Sequence, residues 1–158
     1  MSVAFTKEED LESAAADLPD RPISTHPNLV TSEGLAALDA ALKAARAAYA
    51  AAQASGDVRT DRTAMARAAR DLRYYAARRA SAQLVEAGDD GVVRFGAKVT
   101  LAREDGRRQI FHIVGEDEAD PARGAVSHIS PLARALFGKE AGDTALVGGG
   151  EVEIIAVA

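Results

Sequence analysis

Apolar side chains at Leu35, Leu38, Leu42, Ala45, Tyr49 and Ala52 recur at intervals of 3, 4, 3, 4 and 3 residues. That alternation sets them on one stripe of an α-helix, with the spacing of a helix packed along a nearly parallel or antiparallel partner. The sequence supplies a partner. After Ser55-Gly56-Asp57, a second run from about Arg62 to Glu86 offers Met65, Ala68, Ala69, Leu72, Tyr75, Ala76 and Ala82 on one broad face. Two rods of similar length joined by a short polar link predict an antiparallel helical hairpin, a coiled coil, over residues 31–87 with its tip near 56–61. Thr31 suits the N-cap of the first helix, with Val30 and Leu35 placed as a hydrophobic staple. The seam is built from small residues: 36 of the 158 residues are alanine and none is tryptophan, a composition that favours closely packed helices.

Beyond a boundary near Gly88-Asp89-Asp90-Gly91 the period changes. Residues 92–101 and 109–114 read as strands joined across Glu104-Asp105-Gly106, and further short strands are expected at 126–129, 144–147 and 152–157. Between them Ser130 suits an N-cap, Pro131 a first helical position and Gly138 an exit, which predicts a short helix over 132–137. The expected fold class is α+β: a helical hairpin followed by a small β-sheet domain, residues 92–158, with one short helix. Residues 1–30 carry Pro19, Pro22 and Pro27 and little periodic apolar content, so they read as an acidic, disordered tail.

The formal net charge is −5, but it is unevenly spread. Residues 1–31 hold six acidic and two basic residues, whereas 59–79 hold seven arginines against Asp61 and Asp71. Those arginines, at 59, 62, 67, 70, 73, 78 and 79, form either a solvated helix face or a contact surface for a polyanion. The acidic segment is either inert or, by opposite charge, a partner for them.

Several kinds of chemistry are excluded or disfavoured. With no cysteine there is no disulfide scaffold, thiol nucleophile or cysteine-based metal site. Histidines 26, 112 and 128 are too few for an all-histidine site, and no nucleophile elbow accompanies them. The carboxylates of Gly115-Glu116-Asp117-Glu118-Ala119-Asp120 lack the alternating ligands and distal Glu of a calcium loop and read as a solvated loop. Gly148-Gly149-Gly150 lacks the Lys-Ser/Thr of a phosphate loop. The N-terminus has no basic start with an apolar run, and no stretch approaches the roughly 18 apolar residues of a membrane span, so a soluble, cytoplasmic chain without a membrane or small-molecule partner is expected.

A family resemblance lies in the C-terminal half. Phe95-Gly96, Val99-Thr100-Leu101, Ile113-Val114-Gly115-Glu116-Asp117-Glu118-Ala119-Asp120, Ser130-Pro131-Leu132-Ala133-Arg134-Ala135-Leu136, Gly138-Lys139 and Gly142-Asp143 resemble, in order and spacing, the GreA/GreB transcription elongation factors. The resemblance implies an FKBP-like C-terminal domain that grips the rim of RNA polymerase's secondary channel, and a coiled coil that enters it. It also implies a place among proteins of the DNA-bound transcription complex. Two acidic tip residues in that family help the polymerase hold a second Mg²⁺ ion, so that backtracked RNA is cleaved by the polymerase's own site; the factor is no enzyme and holds no metal of its own.

Carried across, the tip candidates are Asp57 and Asp61, the basic shaft is Arg59, Arg62, Arg67, Arg70 and Arg73, facing backtracked RNA or acidic channel walls, and the polymerase-docking candidates are Ser130, Pro131, Arg134 and Lys139. The tip departs from the family pattern. Asp57 matches the first acid, while an ungapped comparison sets Thr60 at the place of the family's Glu, and a tip one residue longer sets Asp61 there. Two functions follow: stimulation of RNA cleavage, or channel occupancy that inhibits cleavage-active relatives.

Overall fold

The computed structural model describes residues 18–55 and 58–158, without the side chains of 58–61. Among these residues the elements are β1 (Leu29–Val30), α1 (Ser32–Ala54), α2 (Val58–Ser81), β2 (Gln83–Leu84), β3 (Lys98–Arg103), β4 (Arg108–Val114), β5 (Ala125–Ser127), α3 (Pro131–Leu136), β6 (Thr144–Val147) and β7 (Gly150–Val157), with a 3-10 turn at Pro121–Arg123. They divide into two compact units. Residues 38–81 and the described 18–24 make the first, and 25–37 with 82–158 the second.

Of the stripe expected on α1, Leu38, Leu42, Ala45 and Ala52 are buried, while Leu35 and Tyr49 are half-buried. Asp39, early in α1, accepts a hydrogen bond from Arg79 Nε, late in α2, so the two helices run antiparallel. The face expected on α2 is narrower than read, for Ala76 is exposed and Met65, Ala69, Leu72 and Tyr75 are half-buried around a buried Ala68. On one side of the pair Ala41, Ala44, Ala45, Ala48, Ala68 and Tyr75 border a groove of about 310 Å³. α2 also starts earlier than expected and stops at Ser81, not near Glu86.

That early stop has a tertiary cause. Residues 83–85 leave the helix because their backbone is taken up elsewhere: Gln83 N–H donates to Asn28 C=O at 2.8 Å and Val85 N–H to Val30 C=O at 3.0 Å, making a short parallel ladder of β1 and β2. The tail expected over 1–30 is therefore corrected for its last part. Asn28, Val30 and Thr31 are buried within the C-terminal unit, because the strand satisfies their backbone groups and Val30 adds to its apolar interior. Residues 1–17 lie outside the described residues.

The larger sheet has the order β5-β4-β3-β7-β6, antiparallel except for the β4–β5 pair. Alternation sends Val99, Leu101, Ile113, Val152 and Ile154 to one face, where Ala133 and Leu136 of α3 cover them. A bulge opposite Thr100 and Leu101 shifts the β7 register by one residue, so Ile154 and Val157, three positions apart, both meet the core. The helix start is as read from sequence: Ser130 Oγ accepts from Ala133 N–H at 3.2 Å and Pro131 takes the first helical position. Strand β3 begins at Lys98 rather than at 92, since 93–97 carry a turn in which Gly96 adopts φ +86°. No described helix is long and apolar enough to cross a membrane.

Candidate functional site

α2 carries most of the arginines. On a helix at 100° per residue, Arg62, Arg67, Arg70 and Arg73 fall within an arc of about 140°, opposite the seam of Met65, Ala68, Leu72 and Tyr75. Arg62 and Arg67 are exposed, and Arg70 Nε lies 3.9 Å from Asp71. Arg73 Nε donates to Asp20 at 2.6 Å. Arg79 is drawn to Asp39, and Arg78 is buried at 2% exposure, so neither belongs to the open face. The burial of Arg78 escaped the sequence reading, which grouped it with the solvated arginines.

The segment preceding β1 runs along this helix. Besides the Asp20 contact, Arg21 Nη1 donates to Asp71 Oδ1 at 3.3 Å, and its guanidinium carbon sits 3.8 Å from the centre of the Tyr74 ring and 5.2 Å from that of Tyr75. The two tyrosines meet edge to face at 5.2 Å. Hydrogen bonding with Tyr75 is the main cause that holds the Arg21 guanidinium above its ordinary pKa, with Asp71 acting the same way. Sequence suggested this pairing by charge alone; the aromatic stacking carried no sequence signal.

The tip candidate Asp57 and the side chains of Arg59 and Asp61 lie outside the described residues. The backbone nonetheless is helical from Val58, so position 61 belongs to the first turn of α2 rather than to the connecting loop.

In the C-terminal unit the docking candidates do different jobs. Ser130 is spent as the cap of α3, Pro131 and Arg134 lie on its exposed side, and the Lys139 carbonyl accepts from Val93 N–H at 2.8 Å. The acidic loop 116–120 proves structural at Glu118. Thr31 Oγ lies 2.8 and 2.7 Å from the two Glu118 carboxylate oxygens, donating its proton there, and accepts from Gly34 N–H at 3.0 Å. One threonine thus caps α1 and ties it to the loop. Beside this cap Glu33 is held below the ordinary carboxylate range, first by its own backbone N–H at the helix start and then by the Ser32 hydroxyl. Gly115 admits the chain closely: a Cβ there would stand 2.4 Å from the Leu29 carbonyl oxygen.

An open cleft of about 400 Å³ adjoins the cap, lined by Glu33, Glu86, Lys98 and His112 among others. Its charges are mixed, and His112 Nε2 is already 3.1 Å from the Gly96 carbonyl. Among the described residues no group of three or more His, Cys, Asp or Glu side chains is arranged to hold a metal.

The class so defined is a two-part α+β protein: an antiparallel helical pair with one arginine-rich face, and a five-stranded sheet domain with a single capped helix. Residues 88–158 match the family model "Transcription elongation factor, GreA/GreB, C-term". Residues 88–158 are thus a GreA/GreB C-terminal domain. Transcription elongation factor GreA of Hyphomonas neptunium is 59% identical over 56 residues, 35% of this chain and 36% of that protein. Transcription elongation factor GreB of Neisseria meningitidis serogroup B is 47% identical over 79 residues, 48% of this chain and 47% of that protein. The matched stretches thus span about a third to half of the length of these relatives. The crystal structure of GreA factor homolog 1 of Thermus thermophilus covers 84% of this chain and 99% of that one at 22% identity and a TM-score of 0.40, a likeness too slight to carry an argument.

Proposed function

We propose that this chain is a transcription elongation factor that binds bacterial RNA polymerase through its secondary channel and promotes cleavage of backtracked RNA, rescuing arrested complexes. The observation that carries the reading is the GreA/GreB C-terminal domain at 88–158, joined to an antiparallel helical pair with an arginine-rich face. In this reading the domain docks at the channel rim through the exposed side of α3 and the turn that follows it, with Arg134 and Lys139 as the cations and Ser130-Pro131 setting the helix start. The helices enter the channel. Arg59, Arg62, Arg67, Arg70 and Arg73 line the shaft against RNA phosphates or acidic walls, where their charge acts mainly on association rate and salt dependence.

At the tip Asp57 and Asp61 supply carboxylates that help the polymerase hold its second Mg²⁺, the charge-neutralising ion of two-metal hydrolysis. The protein itself then catalyses nothing alone, needs no cofactor of its own, and acts where the polymerase acts, in the cytoplasm. The deciding experiment adds the protein to stalled, backtracked complexes of the cognate polymerase in Mg²⁺. Shortened transcripts that vanish with Asp57→Ala/Asp61→Ala, while polymerase binding persists, support the reading. Binding without cleavage, with protection against a cleavage-active relative, overturns it in favour of a channel-occupying regulator, the function that the Thr60 alignment of the tip favours.

A further inference from the structure

The segment 18–24 is not placed on α2 by apolar burial. Pro19, Asp20, Pro22 and Ile23 are exposed, and what joins it to the helix in the contacts above is charge and stacking: Asp20 on Arg73, Arg21 on Asp71 and over Tyr74. Two of these contacts, Asp20 on Arg73 and Arg21 over Tyr74, are ones that a nucleic acid strand makes in another form. A phosphate takes the place of the Asp20 carboxylate on Arg73, and a base takes the place of the flat, delocalised Arg21 guanidinium on the Tyr74 ring. An aromatic ring flanked on its helix by Arg70 and Arg73 is a stacking platform with charge for the backbone, a combination suited to single-stranded RNA rather than to an acidic protein wall, which has no use for the ring. The residues ahead of the segment, 1–17, add five carboxylates and one lysine, which extends the same charge complementarity.

We propose that residues 18–24 form a displaceable strap that occupies the Tyr74–Arg73 platform of α2 in the free protein and competes with single-stranded RNA for it. The inference rests on the reading above for what the shaft meets, and adds how the shaft is guarded. The Asp20–Arg73 pair is solvent-exposed, with half or more of both side-chain surfaces open, and the Arg21–Asp71 pair keeps over a third of each side chain open, so both screen with salt. A strap of that strength lowers RNA affinity by a moderate factor and rejects weak, non-specific polyanions more than a strand presented at high local concentration. It is a threshold rather than a lock.

The test uses the full chain and a single-stranded oligouridylate as probe. The absence of cysteine allows Ile23→Cys to carry one nitroxide label, and the only tyrosines are Tyr49, Tyr74 and Tyr75. The label should broaden the Tyr74 and Tyr75 ring resonances more than those of Tyr49, and saturating RNA should relieve the broadening. Asp20→Ala/Arg21→Ala should tighten RNA binding roughly threefold to tenfold at low salt, with the gain shrinking as salt rises. A chain lacking residues 1–24, checked for its helical circular dichroism, should gain at least as much. Broadening that persists with RNA bound, or variants that bind RNA no more tightly than the parent, overturns the strap. RNA affinity that rises on strap removal in a protein without cleavage stimulation leaves the strap standing and removes the elongation-factor reading; the converse pattern does the opposite.

Discussion

The two units are built on opposite principles. In the C-terminal unit most of the fully buried side chains are branched, among them Val99, Leu101, Ile113, Leu136, Val152 and Ile154, all at 2% exposure or less. In the helical unit the inside is Leu38, Leu42 and three alanines, and the bulkiest fully buried side chain is Arg78. Burying a Leu or Ile contributes about 1.5–3 kcal/mol and a single methyl about 0.8 kcal/mol, so equal lengths of chain yield very different stabilisation. The sheet unit is held by a core of branched side chains, and the helical pair by small apolar contacts. Under the proposed function that division is useful, since the alanine-rich seam lets the two helices pack closely.

The contrast is broken most severely at Leu136. Leu136→Asp places a carboxylate where exposure is nil and should cost more than about 3 kcal/mol, abolishing the sheet unit's cooperative transition in calorimetry; a preserved transition would remove α3 from the core. Next comes Gly115→Val, whose Cβ must displace the Leu29 carbonyl. A loss of about 1–3 kcal/mol is expected, with faster hydrogen exchange at the Gln83 and Val85 amides, and unchanged exchange there would contradict the β1–β2 ladder.

Thr31→Ala removes both the cap of α1 and the tie to Glu118, for about 1–2 kcal/mol in urea titration, while Thr31→Ser should recover most of it. Smallest of all, Asp39→Asn at the Arg79 pair in the helical unit should change stability by less than about 1 kcal/mol, and the change should fade in salt. A larger effect there would mean that the helical pair is held by its charges rather than its seam.

Much of this division was legible in the chain. The 3-4 spacing from Leu35 to Ala52 identified the buried stripe of α1, and Ser130-Pro131 identified the start of α3, because cap and helix-start chemistry is local. What escaped was non-local. Nothing near Gln83 signals a strand; it leaves the helix because Asn28 and Val30 offer backbone partners from a distant part of the sequence. Arg78 reads like its neighbours, since burial of an arginine depends on what surrounds it and not on its spacing. Glu118 looked like one of several solvated acids until the fold brought Thr31 to it. Of the candidate site, the shaft arginines were legible as a cluster, but not which are engaged: Arg73 by Asp20 and Arg79 by Asp39.

The central claim is that the helical pair enters the polymerase while the sheet domain stays at the rim. A photocrosslinker on the single cysteine of Thr60→Cys, in this otherwise cysteine-free chain, tests it in complexes with the cognate polymerase. The account predicts crosslinks to the polymerase segments that hold the catalytic Mg²⁺, and crosslinks from an Arg134→Cys probe to the channel rim. Tip crosslinks confined to the outer surface of the polymerase, or the same crosslinks from both positions, would contradict it.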